Sequence, residues 1–121
     1  MSAKILLVDD EPNILLSLDF LMRKNGYKVF MARNGREALH SIQEQMPDLV
    51  ILDIMMPDVD GYQICTTIKS SEQFRDIKVI FLSAKSKESD VAKGIEMGAD
   101  AYIAKPFVNK NLLEKVKELI G

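Results

Sequence analysis

Three runs of consecutive apolar residues without polar alternation constrain this chain most: Ile5-Leu6-Leu7-Val8, Leu49-Val50-Ile51-Leu52 and Val79-Ile80-Phe81-Leu82. A strand that is apolar at every position must be covered on both faces, as in a parallel sheet flanked by helices. Two weaker runs, Val29-Phe30-Met31 and Ala101-Tyr102-Ile103-Ala104, are expected nearer the sheet edges. Between the runs lie segments with helical spacing: Ile14, Leu15, Leu18, Leu21 and Met22, then Ala38, Leu39, Ile42 and Met46, and finally Leu112, Leu113, Val116, Leu119 and Ile120. Pro12 suits a first helical turn, Gly26 the left-handed position past its end, Asn34-Gly35 the entry to a second helix, and Pro47 its stop. Gly61 opens a further segment through Lys69, and Gly98 closes one that begins near Ser86. Five β-α units follow, hence an α/β fold with a parallel sheet and right-handed crossovers.

With 121 residues and no linker, repeat or low-complexity tract, the chain is expected to be one domain over residues 1–121. Its 47% hydrophobic and 28% charged residues exclude a disordered or collagen-like polymer. Sixteen basic against 18 acidic residues leave a net charge of -2, which argues against direct nucleic-acid binding. No apolar run reaches the roughly 18 residues that span a bilayer, so no membrane association is expected. No leader segment is legible, and the lone Cys65 excludes an internal disulfide, so a reducing cytoplasm is the expected home. With His40 as the sole histidine and none near in sequence, Cys65 reads as a small packed residue rather than a nucleophile.

In parallel sheets of this kind, function gathers at the carboxyl ends of the strands. There the sequence places Asp9-Asp10-Glu11 after the first run, Asp53 after the third, Ser83-Ala84 after the fourth and Lys105-Pro106 after the fifth. Singly, each has an ordinary explanation: helix capping for Asp9-Asp10-Glu11, a loop acid for Asp53, a cap for Ser83, a surface charge for Lys105. Together they do not, because two like charges 4 Å apart repel by roughly 4 kcal/mol at an effective dielectric of about 20. Either a proton or a cation must compensate. Oxygen ligands without a second histidine or a thiolate pair favour Mg²⁺, which leaves room for a phosphate oxygen. Lys105 and the Ser83 hydroxyl can hold the same phosphate. A carboxylate can itself be the nucleophile, and Asp53, followed by the turn Met55-Met56-Pro57-Asp58-Val59-Asp60-Gly61 that is expected to keep it accessible, is the candidate.

The ordered set resembles a response regulator receiver domain of two-component signalling. The likeness runs through Lys4-Ile5-Leu6-Leu7-Val8-Asp9-Asp10-Glu11, Asp48-Leu49-Val50-Ile51-Leu52-Asp53, Met56-Pro57, Asp60-Gly61, Leu82-Ser83-Ala84, Gly98-Ala99-Asp100-Ala101-Tyr102 and Lys105-Pro106-Phe107. The resemblance implies a flavodoxin-like (βα)5 fold with strand order 2-1-3-4-5, an order that the general description of this fold already gives for a chemotaxis relative. It implies that Asp53 takes a phosphoryl group from the phosphohistidine of a sensor histidine kinase or phosphotransfer protein. By the same resemblance Asp10 and Asp53 ligate Mg²⁺ directly, the backbone carbonyl of Met55 is a third ligand, and Asp9 acts through water. Lys105 would contact the phosphoryl group and Ser83 would swing toward it. Tyr102, on its own a half-buried edge-strand aromatic, matches the aromatic whose rotamer follows that movement. The Lys105-Pro106 bond is expected to be cis. No organic cofactor is expected.

Two flanking positions bear on water access. Met55 is apolar and Lys85 is basic, and neither activates or orients water well, so a slow loss of the acyl phosphate by the domain's own action is expected. Residues 87–97, 100–104 and 109–120, which carry charges of mixed sign, would form the output face and contact a downstream effector or a second copy in a phosphorylation-dependent homodimer. A receiver fills 121 residues, so the output would lie in a partner protein or in a missing effector domain. The domain would be a switch, not an enzyme with turnover. A Mg²⁺-dependent phosphatase working through an aspartyl-phosphate wants a second acid two residues after the nucleophile, where this chain has Met55. A flavodoxin-type FMN binder wants a hydroxyl-rich loop after the first strand, where this chain has acids.

Overall fold

The structure, a computed structural model, describes residues 2–121. In chain order the elements are β1 (Lys4–Val8), α1 (Pro12–Lys24), β2 (Lys28–Ala32), α2 (Gly35–Gln45), β3 (Leu49–Leu52), α3 (Gly61–Ser70), β4 (Lys78–Ser83), α4 (Glu88–Glu96), β5 (Ala101–Ala104) and α5 (Asn109–Ile120). The strands form one parallel sheet in the order β2-β1-β3-β4-β5. This is the fold class and strand order that the resemblance implies. All four residues of β3 are buried, whereas in the edge strand β2 only Val29 and Ala32 are. An edge strand has only one sheet neighbour and thinner helix cover, which is why β2 and β5 carry the weaker apolar runs.

Strand pleating divides the core into two layers. Leu6, Val8, Val50, Leu52, Val79 and Phe81 face one way, toward Ala38 and Ile42 of α2 and Ile64, Cys65 and Ile68 of α3. Ile5, Leu7, Leu49, Ile51, Ile80 and Leu82 face the other, toward Leu15, Leu18 and Met22 of α1 and Leu112 and Val116 of α5. Sandwiched between two helical layers, the central strands hold their register firmly, and the residues just past their ends are positioned by it.

The local signals act as expected, with two adjustments. Pro12 occupies the first turn of α1, and Gly26 beyond its end has φ +90°. The second helix ends at Gln45, two residues before its proline: Met46 itself turns left-handed at φ 48°, its N–H bonding the Ile42 carbonyl. The fourth helix starts at Glu88 instead of near Ser86, because Lys87 is extended (φ -65°, ψ 150°) and its side chain caps nothing. The Lys105-Pro106 peptide is cis. Among the described residues no helix is long and apolar enough to cross a membrane.

Candidate functional site

The two central strands β1 and β3 end side by side at the pair Val8 and Leu52. The backbone stays ordered one residue further: Asp53 N–H donates to the Val8 carbonyl at 3.0 Å and Asp9 N–H to the Ala32 carbonyl at 3.2 Å. Two adjacent carboxylates are thereby carried out of the core, and both remain buried, Asp9 at 2% and Asp53 at 5% exposure. These acids are not helix caps. Glu11 sits at the N-cap of α1 without any side-chain cap bond, and Asp9 Oδ1 instead accepts from Glu11 N–H at 2.9 Å.

Carboxylate oxygens of Asp9, Asp10 and Asp53 lie within 4.8 Å of one another. Lys105, arriving from the end of β5, places its Nζ 2.8 Å from Asp9 Oδ2, 3.5 Å from Asp53 Oδ2 and 3.8 Å from Glu11 Oε1. Burial pushes the Asp9 carboxyl above the ordinary range, against the pull of Lys105. Burial also opposes charge on Lys105, but hydrogen bonding to Asp9 and the charges of Asp53, Asp9 and Glu11 outweigh it and hold the ammonium above the ordinary lysine value. One fixed cation against this set of acids leaves a net negative pocket. Its hard oxygen donors, gathered from three carboxylates, suit Mg²⁺ rather than a softer metal.

Asp53 presents its two oxygens differently. Oδ1 accepts from Ile54 N–H at 2.7 Å and Met55 N–H at 3.4 Å, while Oδ2 faces Lys105. The loop beyond it closes where Gly61 N–H bonds the Ile54 carbonyl at 2.9 Å. A Cβ at Gly61 would fall on the Asp53 carbonyl oxygen and lie 2.7 Å from Ile54 Cα, so only glycine lets α3 start this close. Asp60 and Gln63 then form a reciprocal capping box on α3. The turn does not keep Asp53 as accessible as its sequence suggests: the loop folds back, and the side chain is only 7% exposed. Met55 on the rim is exposed instead, beside an open groove of about 590 Å³ also lined by Asp10, Met56, Tyr62, Lys85 and Lys93.

Ser83 is fully buried at the end of β4, where its carbonyl accepts from Lys105 N–H at 2.8 Å and its hydroxyl accepts from Lys85 N–H at 3.3 Å. Tyr102 stays outside the acid cluster. Half-buried, it packs against Phe81 with ring centroids 5.8 Å apart, and its hydroxyl donates to the Lys85 carbonyl at 2.5 Å. Burial, with nearby Tyr62 and Asp90, pushes its phenol up to about 12. Cys65 is buried in the core, its thiol pushed up to about 11 by burial, as expected of a packing residue.

One residue escaped the sequence reading. Asp58, in the middle of the loop after Asp53, spreads its carboxylate over the start of α2, accepting from Gly35 N–H at 2.9 Å and Arg36 N–H at 3.0 Å. Those bonds, after the one from Val59 N–H, hold its carboxyl down at about 2. No local signal marks such a contact, because its partners lie 22 and 23 residues away.

A buried acid pair at adjacent strand ends, a third acid beside it and a lysine from the edge strand mark a doubly wound domain with an acidic cleft at the carboxyl ends of its strands. The family model "Response regulator receiver domain" matches residues 5–117, and the chain belongs to that family. Among similar solved structures, the BeF3-activated receiver domain of DrrB is 37% identical over 99% of this chain and 98% of its own, with a TM-score of 0.91. The signal receiver domain of a histidine kinase from Syntrophus aciditrophicus is 38% identical over 98% of this chain and 90% of its own (TM-score 0.91). The Vibrio cholerae chemotaxis protein CheY4 is 28% identical over 99% of this chain and all of its own (TM-score 0.92). The protein is a phosphorylation-controlled signalling switch of two-component systems, and neither the phosphatase nor the flavin reading is favoured.

Proposed function

We propose that Asp53 is the phosphoacceptor and that residues 1–121 act as one receiver domain. The observation that carries this reading is the position of Asp53 between a lysine and two further acids, with one oxygen held by backbone amides and the other free of them. Oδ2 attacks phosphorus in the donor's phosphohistidine, the new O–P bond forms as the N–P bond breaks, and the imidazole leaves with the electron pair. The amides of Ile54 and Met55 hold Oδ1 and fix the carboxylate's orientation. Lys105, already poised between Asp9 and Asp53, neutralises charge on the arriving phosphoryl oxygens. Asp10 and Asp53 would hold Mg²⁺ with the Met55 carbonyl, and Asp9, engaged with Lys105, would act through water. When bound, the ion supplies charge neutralisation between carboxylate and phosphoryl group.

Ser83 and Tyr102 form the output relay. The Ser83 hydroxyl, turned toward the phosphoryl group, would release the Lys85 amide, and the Tyr102 hydroxyl is bonded to the carbonyl of that same residue. Movement would then reach α4, β5 and α5, the surface offered to an effector or a second copy. The phosphoryl donor is a sensor histidine kinase or phosphotransfer protein in the cytoplasm. The chain assists its own phosphorylation and dephosphorylation and turns over no other substrate.

Incubation with acetyl phosphate and Mg²⁺, read by intact mass, tests the assignment. One phosphoryl increment is expected, absent in Asp53→Asn, with amide shifts spreading to Ser83 and Tyr102. An increment that persists in Asp53→Asn, or steady release of phosphate from esters, would overturn it.

A further inference from the structure

We infer that Asp58 is a positioning residue for the phosphoacceptor loop, tethering it to the N-terminus of α2; this rests on the proposed role of Asp53 and Mg²⁺. The loop between Asp53 and Gly61 is fixed at its two ends, by Asp53 N–H on the Val8 carbonyl and by Gly61 N–H on the Ile54 carbonyl. Its middle, which carries Pro57, Asp58 and Val59, has no strand or helix of its own. There the Asp58 carboxylate takes the first two free amides of α2, Gly35 N–H on Oδ1 at 2.9 Å and Arg36 N–H on Oδ2 at 3.0 Å. The third, Glu37 N–H, is capped locally by Asn34.

Backbone contact reinforces the tether. A Cβ at Gly35 would lie 2.5 Å from Val59 Cβ, so α2 and the loop approach as closely as only glycine allows. A carboxylate bridging two amides at a helix N-terminus is favoured by the dipole and by charge-assisted bonding. Unlike an ordinary cap, this one comes from a remote segment, so the free energy of capping α2 is also free energy holding the loop. The loop's first residues, Ile54 and Met55, give the amides that orient Asp53 and the carbonyl assigned to the metal. Asp58 thus acts on the site through the backbone, five residues from the nucleophile, without touching it.

The discriminating comparison is Asp58→Ala against Asn34→Ala in the full chain. Both remove a cap from α2, but only the first releases the loop. Wild-type Mg²⁺ affinity, followed by tyrosine fluorescence or amide shifts, and the rate of phosphorylation by acetyl phosphate are measured first; their absence would defeat the reading of Asp53 itself. Given both, Asp58→Ala is expected to weaken Mg²⁺ binding and slow phosphorylation by about tenfold, within the range seen when supporting groups around metal ligands are lost. Asp58→Asn, which keeps one acceptor oxygen, should recover part of both. Asn34→Ala should lower the melting temperature and leave both unchanged. Equal Mg²⁺ affinities and rates in wild type and Asp58→Ala, or equal losses in Asp58→Ala and Asn34→Ala, would overturn the tether.

Discussion

Met55, more than half exposed on the rim of the site, stands where a side chain could admit or exclude water from a phosphorylated Asp53. It has no group to orient or deprotonate water, and Lys85 across the groove offers only a cation. A full general base contributes about 10²–10⁴-fold, so introducing an amide should recover a small part of that. Met55→Asn is therefore expected to hasten loss of the phosphoryl group by up to about tenfold, measured by intact mass after removing the phosphodonor; an unchanged decay would sink the idea. At this scale the sequence disclosed Asp9, Asp10, Asp53 and Lys105 because each lies within two residues of a strand end, and strand ends in a parallel sheet converge. Asp58 stayed hidden because its partners are backbone amides of a helix far along the chain, and amides leave no mark in a sequence. The burial of Asp53 was hidden as well, since it depends on how closely Gly61 lets the loop return.

Among the elements, the central strands were the most legible, for burial on both faces forces an unbroken apolar run. The fourth helix was the least. Lys87 gives no cap signal, and Gly94 inside the helix reads as a weak point until its neighbours are known. A Cβ there would lie 2.8 Å from Tyr102 Cδ2 and 3.0 Å from Phe81 Cδ2, so the missing side chain makes room for the aromatic ring under α4. Gly94→Ala sets a helix-propensity gain of about 1 kcal/mol against an overpacking cost of about 1–3 kcal/mol. A net loss of no more than about 2 kcal/mol in urea denaturation is expected, with Tyr102 ring resonances displaced and its bond to the Lys85 carbonyl broken. Unmoved Tyr102 resonances would show that the helix yields instead of the ring.

For the molecule as a whole, a net charge of -2 conceals a strong local imbalance, because the acids of two loops gather at one edge of the sheet, and among the described residues Lys105 is the cation paired with Asp9, Glu11 and Asp53. A ligand that binds only the folded state stabilises it by about 2.7 kcal/mol at one hundred times its dissociation constant. Saturating Mg²⁺ should therefore raise the melting temperature by about 10 °C over a chelator-treated sample, given the size dependence of thermal shifts. Asp10→Ala should lose that response while melting no lower than wild type without Mg²⁺, since a repulsive charge has gone; an undiminished response would remove Asp10 from the metal site. The bond from Lys105 to Asp9 spans 96 residues, the longest reach of any side-chain contact at the site. During synthesis, a chain arrested before residue 105 would already carry Asp53 yet lack the ammonium that we propose neutralises an incoming phosphoryl group. Competence to receive a signal is thus conferred late, after the edge strand has emerged and docked, so unfinished copies on the ribosome are expected to be silent to the kinase.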